Sequence, residues 1–75
     1  MSTSEDRALI QEIEDHAATV NAHLDTLNAG LRNAKRAGDR ELARSLHADI
    51  LYYTDVLTDL KKRRATIARR MGSNK

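Results

Sequence analysis

The 75-residue sequence contains no cysteine, no proline, no tryptophan and no phenylalanine. Without cysteine the chain cannot form a disulfide framework or a zinc site that uses thiolate ligands. Without proline it lacks the strongest interruption of a helix. The two aromatic residues, Tyr52 and Tyr53, give little bulk for a core. A chain of this size without disulfides or metal commonly relies on oligomerisation for its stability.

Long apolar runs are also missing, since no stretch approaches the roughly 20 apolar residues that a membrane-spanning helix needs. The opening residues, MSTSEDR, are polar and acidic, unlike a secretory signal peptide. We therefore expect a cytoplasmic protein that does not contact membranes. The formal net charge of +2 is small and does not by itself indicate a nucleic-acid partner.

The chain does contain two long segments in which apolar or small residues recur at alternating steps of three and four. This is a heptad pattern, in which the core-facing positions are called a and d. The first stripe is Ile10, Ile13, Ala17, Val20, Leu24, Leu27, Leu31 and Ala34. The second stripe is Ala43, Leu46, Ile50, Tyr53, Leu57, Leu60, Arg64, Ile67 and Met71.

The phase of the pattern changes at Gly38 and Asp39, where a glycine can end one helix and an aspartate can cap the next. The pattern predicts a single domain over 1–75, with helix 1 at about 5–36, a turn at 37–39, helix 2 at about 40–71 and a frayed tail at 72–75. Folding the stripes antiparallel places the centre of their register at this turn. The predicted fold is all-α: an antiparallel two-helix coiled-coil hairpin that dimerises into a four-helix bundle.

Each stripe has two flanks. We call one flank the g side, because it is formed by the residues that directly precede the a positions in sequence. We call the other flank the e side, because it is formed by the residues that directly follow the d positions in sequence. The g side is the more apolar, which predicts that a second copy packs there. Leu51 lies on the opposite flank of helix 2, in a segment (ILYYTDVL) that is apolar on nearly every side. The predicted self-association or partner face comprises Leu9, His16, His23, Gly30, Leu42, Leu51, Tyr52 and Val56.

Gly30 has two interpretations. It can let a helix of the second copy approach closely, or it can be a tolerated weak point that costs about 1 kcal/mol relative to alanine. The apolar face as a whole also has two, because a different protein could dock where we expect a second copy.

Residues with catalytic or metal-binding chemistry are scattered. His16 and His23 lie about 10 Å apart along a helix, which is too far to share one metal ion. No phosphate-binding glycine loop or paired zinc-ligand motif is present. No pair of carboxylates is placed in an apolar setting that would create a general acid or base. We therefore expect no catalytic site, no metal, no cofactor and no enzymatic activity.

The last sixteen residues, LKKRRATIARRMGSNK, carry seven positive charges and no negative one. We expect acidic residues to pair with some of them: Glu14 with Lys61, Glu12 with Arg64, and Asp59 with Arg63. The remaining cations at this end would be unpaired, namely Lys62, Arg69, Arg70 and Lys75. Lys62, Arg63, Arg69 and Arg70 are the candidates for nucleic-acid contact.

Three functions fit this pattern. The sequence favours a non-catalytic interaction module that self-associates and binds a protein partner, with regulation or inhibition of that partner as one form of this function. One alternative is a small RNA- or DNA-binding regulator that uses the basic end of helix 2, although no aromatic side chain lies among the arginines to stack on bases. The other is a structural subunit of a larger assembly. A protein partner is favoured over nucleic acid, and no residue identifies that partner.

Overall fold

A computed structural model describes residues 3–72, which form two α-helices joined by a tight turn. Helix α1 spans Thr3–Ala37 and helix α2 spans Arg40–Gly72. The helices run antiparallel and pack against each other in a rod of 56 × 14 × 12 Å. The predicted all-α antiparallel hairpin is confirmed. Neither helix has an apolar stretch, within the described residues, that could cross a membrane.

The helix ends differ slightly from the predicted ones. Helix α1 begins two residues before the predicted start, and Gly72 belongs to α2 rather than to a frayed tail. The heptad pattern marks only the apolar contacts between helices, whereas the terminal turns depend on backbone hydrogen bonds. Residues 73–75 of the predicted tail lie outside the described residues.

The turn reverses the chain within two residues. Gly38 has a φ of 75°, the left-handed conformation that glycine adopts without strain. Its N–H donates to the carbonyl of Lys35 at 3.1 Å, and the N–H of Asp39 donates to the carbonyl of Ala34 at 2.9 Å. This is the Schellman arrangement of a helix end. Asp39 Oδ1 then accepts the N–H of Leu42 at 3.1 Å, which caps α2.

The core lies along the line where the two stripes meet. Every apolar residue of the stripes is buried or half-buried. The most buried are Val20, Leu27, Ala34, Leu60 and Ile67. No side chain in the described part of the chain is fully buried. Two helices alone shield each core residue from one direction only, so the stripes stay partly open to solvent on their flanks.

Candidate interaction surface

Three shallow depressions follow one another along the g side of the rod. We call the end that carries Asp6 and Arg70 the open end, and the other the turn end. The open-end depression is lined by Leu9, Glu12, Ile13, Lys62, Arg63, Thr66, Ile67 and Arg70. The middle depression is lined by His16, Tyr52, Asp55, Val56, Asp59, Leu60 and Arg63. The turn-end depression is lined by Thr26, Leu27, Gly30, Asn33, Ala34, Ala37, Asp39, Leu42 and Leu46.

These depressions form because the stripes pack face to face and leave a groove between the helices at their flank. Near the turn, Gly30 and Ala37 have too little side chain to fill that groove. Leu27 and Leu46 form its apolar wall there. The structure therefore leaves a groove along the side on which the sequence predicts a second copy.

The predicted partner face divides into two parts. Leu9, Leu42 and Tyr52 are 42%, 48% and 63% exposed, and each lines a depression of the g side. Val56 is half-buried in the middle depression. Leu51 is 55% exposed but lines none of these depressions, because it lies on the other flank of α2. Leu51 and Tyr52 are thus neighbours in sequence that face different surroundings.

Three rings gather at the middle of the rod. The His23 and Tyr53 rings lie edge to face with centroids 4.7 Å apart, and the Tyr52 and Tyr53 rings do so at 5.0 Å. Edge-to-face contacts are a favourable arrangement for aromatic rings. Tyr53 belongs to the core stripe and holds the other two rings beside it. The antiparallel register of the stripes places Tyr53 opposite Leu24. Because His23 directly precedes Leu24, the sequence already indicated that His23 would lie next to the Tyr53 ring.

Gly30 packs within its own hairpin. A Cβ atom at this position would lie 3.4 Å from Leu46 Cδ1 of the same chain. The prediction that Gly30 lets a helix of the second copy approach closely stays a prediction, since one hairpin shows only that Leu46 lies over this glycine. This contact arises because the g position borders the core, where the large Leu46 side chain of α2 extends over it.

Arg64 occupies a core position of the second stripe but is exposed. Its long side chain extends out of the core, and Nη2 lies 3.9 Å from Glu14 Oε2. Two predicted pairs are therefore wrong, namely Glu12 with Arg64 and Glu14 with Lys61. The structure pairs Arg64 with Glu14 instead. Sequence spacing could not decide between these groups, since a flexible arginine reaches several of them.

A buried carboxylate at the open end was missed by the sequence interpretation. Asp6 is 4% exposed, and its Oδ1 accepts a hydrogen bond from Arg70 Nη2 at 2.9 Å. Arg70 is therefore paired, and the prediction that it is unpaired is wrong; Arg69 is not without a partner either. Extending the first stripe one step back from Ile10 places Asp6 at a core position, which was the signal available.

The predicted pair of Asp59 and Arg63 is present on one face of α2. Arg63 Nε lies 2.9 Å from Asp59 Oδ2, and both side chains are more than half exposed. The two groups are one helical turn apart, the spacing at which opposite charges meet on a helix. Among the four nucleic-acid candidates, Arg63 and Arg70 make ion pairs, Arg69 is not without a partner, and Lys62 makes no ion pair within residues 3–72.

Metal-binding geometry is absent from the described chain: no three histidine or acidic side chains between residues 3 and 72 are grouped to hold an ion. His16 and His23 are exposed and lie on the g side. The expectation of a protein without catalysis or cofactor stays a prediction.

The g side therefore presents a long and partly apolar groove, which has the shape to accept another helical surface. Comparisons with protein-family models, with curated proteins and with solved structures find nothing that matches this chain.

Proposed function

We propose that this chain is a non-catalytic protein-interaction module: a helical hairpin that self-associates through its g side and binds a protein partner. The observation that carries the proposal is the groove of the g side, which three depressions follow along the rod. Among residues 3–72, three of the four exposed large apolar side chains lie along it, namely Leu9, Leu42 and Tyr52. An exposed apolar groove of this length is typical of a surface that another protein covers.

The exposed area supports self-association. The hairpin exposes 5771 Å². A compact monomer of 8.4 kDa exposes roughly 4,600 Å², so the hairpin exposes about a quarter more than a compact chain of its mass. A stable interface covers about 800 Å² on each partner. The excess area is therefore sufficient for one such interface.

The half-buried core supports the same conclusion. Ile13 and Leu46 belong to the stripes and line depressions of the g side, yet each is only half-buried in the hairpin. In a four-helix bundle the core positions of all four helices point toward one axis. A second hairpin on the g side would cover these residues from the direction that the first hairpin leaves open.

The proposed protein partner, as distinct from a second copy of this chain, has a different candidate site. Leu51 is the fourth exposed large apolar side chain, and it faces away from the g side. A dimer formed through the g side would leave Leu51 uncovered. We therefore place the contact with a protein partner on the flank of α2 that carries Leu51.

The experiment is capture of partners from host lysate by the tagged protein, with and without nuclease. We expect a protein to be retained after nuclease treatment and to be lost with Leu51→Glu. Ala48→Glu, a similar change at another exposed position of α2, is the control and should retain it. Equal retention by Leu51→Glu would contradict this placement, and retention of nothing would contradict the partner itself.

Nucleic-acid binding is the second candidate function. Lys62 and Arg69 are one heptad apart on α2 and both are exposed, and Lys62 has no ion pair among the described residues. If they contact phosphates, the affinity should fall steeply with salt because bound counterions are released. Replacing both with alanine should weaken binding measured by fluorescence anisotropy. Unchanged binding would exclude this use of the basic end.

A further inference from the structure

We propose that the second copy lies on the g side in the opposite direction, so that the two turns are at opposite ends of the bundle and the two Val56 side chains meet on the two-fold axis. This inference rests on the proposed self-association and adds the arrangement of the copies. In it, α2 packs antiparallel against α2 of the second copy, and α1 packs antiparallel against α1.

The midpoint of the helix gives the position of the axis. Helix α2 spans Arg40–Gly72, and Val56 is its central residue. An antiparallel pair of α2 helices centred on Val56 therefore overlaps over its whole length. On α1 the same level of the rod lies near Asn21, two residues before His23, because the His23 ring contacts Tyr53 and the helices run antiparallel. The axis thus passes through the middle of the g side on both helices.

The shape of the groove fits this arrangement. The positions symmetric about the axis place Leu9 opposite Asn33 of the second copy, at the turn-end depression that Gly30 keeps open. By the same symmetry Leu42 lies at the open-end depression, whose floor includes Ile67. Leu9 and Leu42 are 42% and 48% exposed in one hairpin. Each leucine would be covered by a depression of the other copy.

The charges on the g side fit as well. Asp49 and Arg63 occupy positions symmetric about Val56, so each aspartate faces the arginine of the other copy, and the pair occurs twice. Asp49 is exposed and makes no ion pair among residues 3–72. Arg63 contacts Asp59 through Nε, which leaves its two terminal nitrogens for a second carboxylate. Such complementary pairs set the orientation of helices in a bundle.

The alternative arrangement puts both turns at one end, so that α1 packs against α2 of the second copy. Arg63 would then face His16, and Asp49 would face Gly30 and lose its charged partner. Glu12 would gain basic neighbours at the open end, but this gain would leave Asp49 without a charged partner. The crossed pairs of Asp49 and Arg63 exist only when the turns are at opposite ends.

A distance measurement between spin labels separates the two arrangements. The chain has no cysteine, so a single label can be attached after Arg36→Cys, near the turn, or Ala22→Cys, near the middle. Both positions are exposed and lie away from the g side. With the turns at opposite ends, two labels at position 36 are separated by roughly 40 Å along the rod, because each lies about 20 Å from the axis at 1.5 Å per residue.

Pulsed dipolar spectroscopy on the full-length protein gives the result. We expect a distance of roughly 40–45 Å for the label at 36 and a distance below about 25 Å for the label at 22, which is short in either arrangement. Short distances at both positions would overturn the opposite-end arrangement while leaving self-association intact. No interchain distance at either position would overturn self-association as well, and with it this inference.

Discussion

At the scale of single residues, the ion pair of Asp6 and Arg70 joins the first helical turns of α1 to the last turns of α2. The Asp6 side chain is 6% exposed and that of Arg70 is 45% exposed. A buried carboxylate that loses its partner keeps the cost of its lost hydration. The pair therefore stabilises the open end of the hairpin. This end is far from the turn, which is the covalent link between the helices.

Arg70→Ala should accordingly destabilise the protein. We expect a loss of about 1–2 kcal/mol in the free energy of unfolding, measured in urea at fixed protein concentration, because Asp6 would remain buried without its partner. Gln11→Ala is the matched control, since its hydrogen-bond partner Asp15 is exposed, one turn away and off the g side. That variant should lose about 0.3–0.5 kcal/mol. Equal losses would show that burial of Asp6 adds nothing to the pair.

Gly30 offers a second prediction. A Cβ there meets Leu46 Cδ1 at 3.4 Å, which is an ordinary contact. Gly30→Ala should therefore raise the free energy of unfolding by about 0.5–1 kcal/mol through the higher helix propensity of alanine. Gly38→Ala should lower it by about 1 kcal/mol, since φ is 75° there. A loss of stability from Gly30→Ala would mean that the Leu46 side chain cannot shift to accommodate a methyl group.

At the scale of helices, the sequence pattern and the structure agree wherever many residues contribute to one signal. The stripes of α1 and α2 each contain several apolar residues in one frame, and all of these are buried or half-buried. The turn was predictable because Gly38 and Asp39 each have a specific conformational or capping role. Weak preferences that repeat along a helix add up, and their sum determines which face of the helix is buried.

The sequence pattern did not predict the individual polar contacts. Which of Glu12 and Glu14 would pair with Arg64 depends on the rotamer of a long side chain, and the spacing carries no information about it. Asp6 was missed because the predicted stripe of α1 begins at the apolar residue Ile10, one step after Asp6. The ring contact of His23 and Tyr53 depends on the two side-chain rotamers as well as on the register.

The g-side face of α2 has its own test. Val56→Glu places a charge at the centre of the proposed interface, so it should dissociate the dimer in light scattering while the helical circular dichroism signal is largely kept. Ala48→Glu adds the same side chain on the exposed outer face and should leave the dimer intact. A dimer that tolerates Val56→Glu would show that the g side is not the interface.

At the scale of the whole molecule, the hairpin resembles half of a four-helix bundle in its proportions. It is 56 Å long but only 14 Å by 12 Å across, and no side chain among residues 3–72 is fully buried. A bundle core requires helices on two opposite sides of each stripe. One more hairpin is the simplest addition that supplies them, and the proposed pairs of Asp49 and Arg63 would hold it in one orientation.

The orientation can be tested by exchanging these charges. Asp49→Arg and Arg63→Asp, made singly, should each raise the dimer dissociation constant about tenfold, because like charges then face each other twice across the axis. The two changes together should restore most of the affinity. Asp25→Arg, on the exposed outer face of α1, serves as the control. Failure of the double variant to recover would contradict the crossed pairing of Asp49 and Arg63.

The most direct measurement of the central claim is the mass of the unmodified protein by sedimentation equilibrium, from low to tens of micromolar. Self-association through the g side predicts a mass approaching twice the 8.4 kDa of one chain as the concentration rises. A mass that stays at 8.4 kDa over the whole range would contradict the account. The groove of the g side would then be open in solution, with no second copy to cover it.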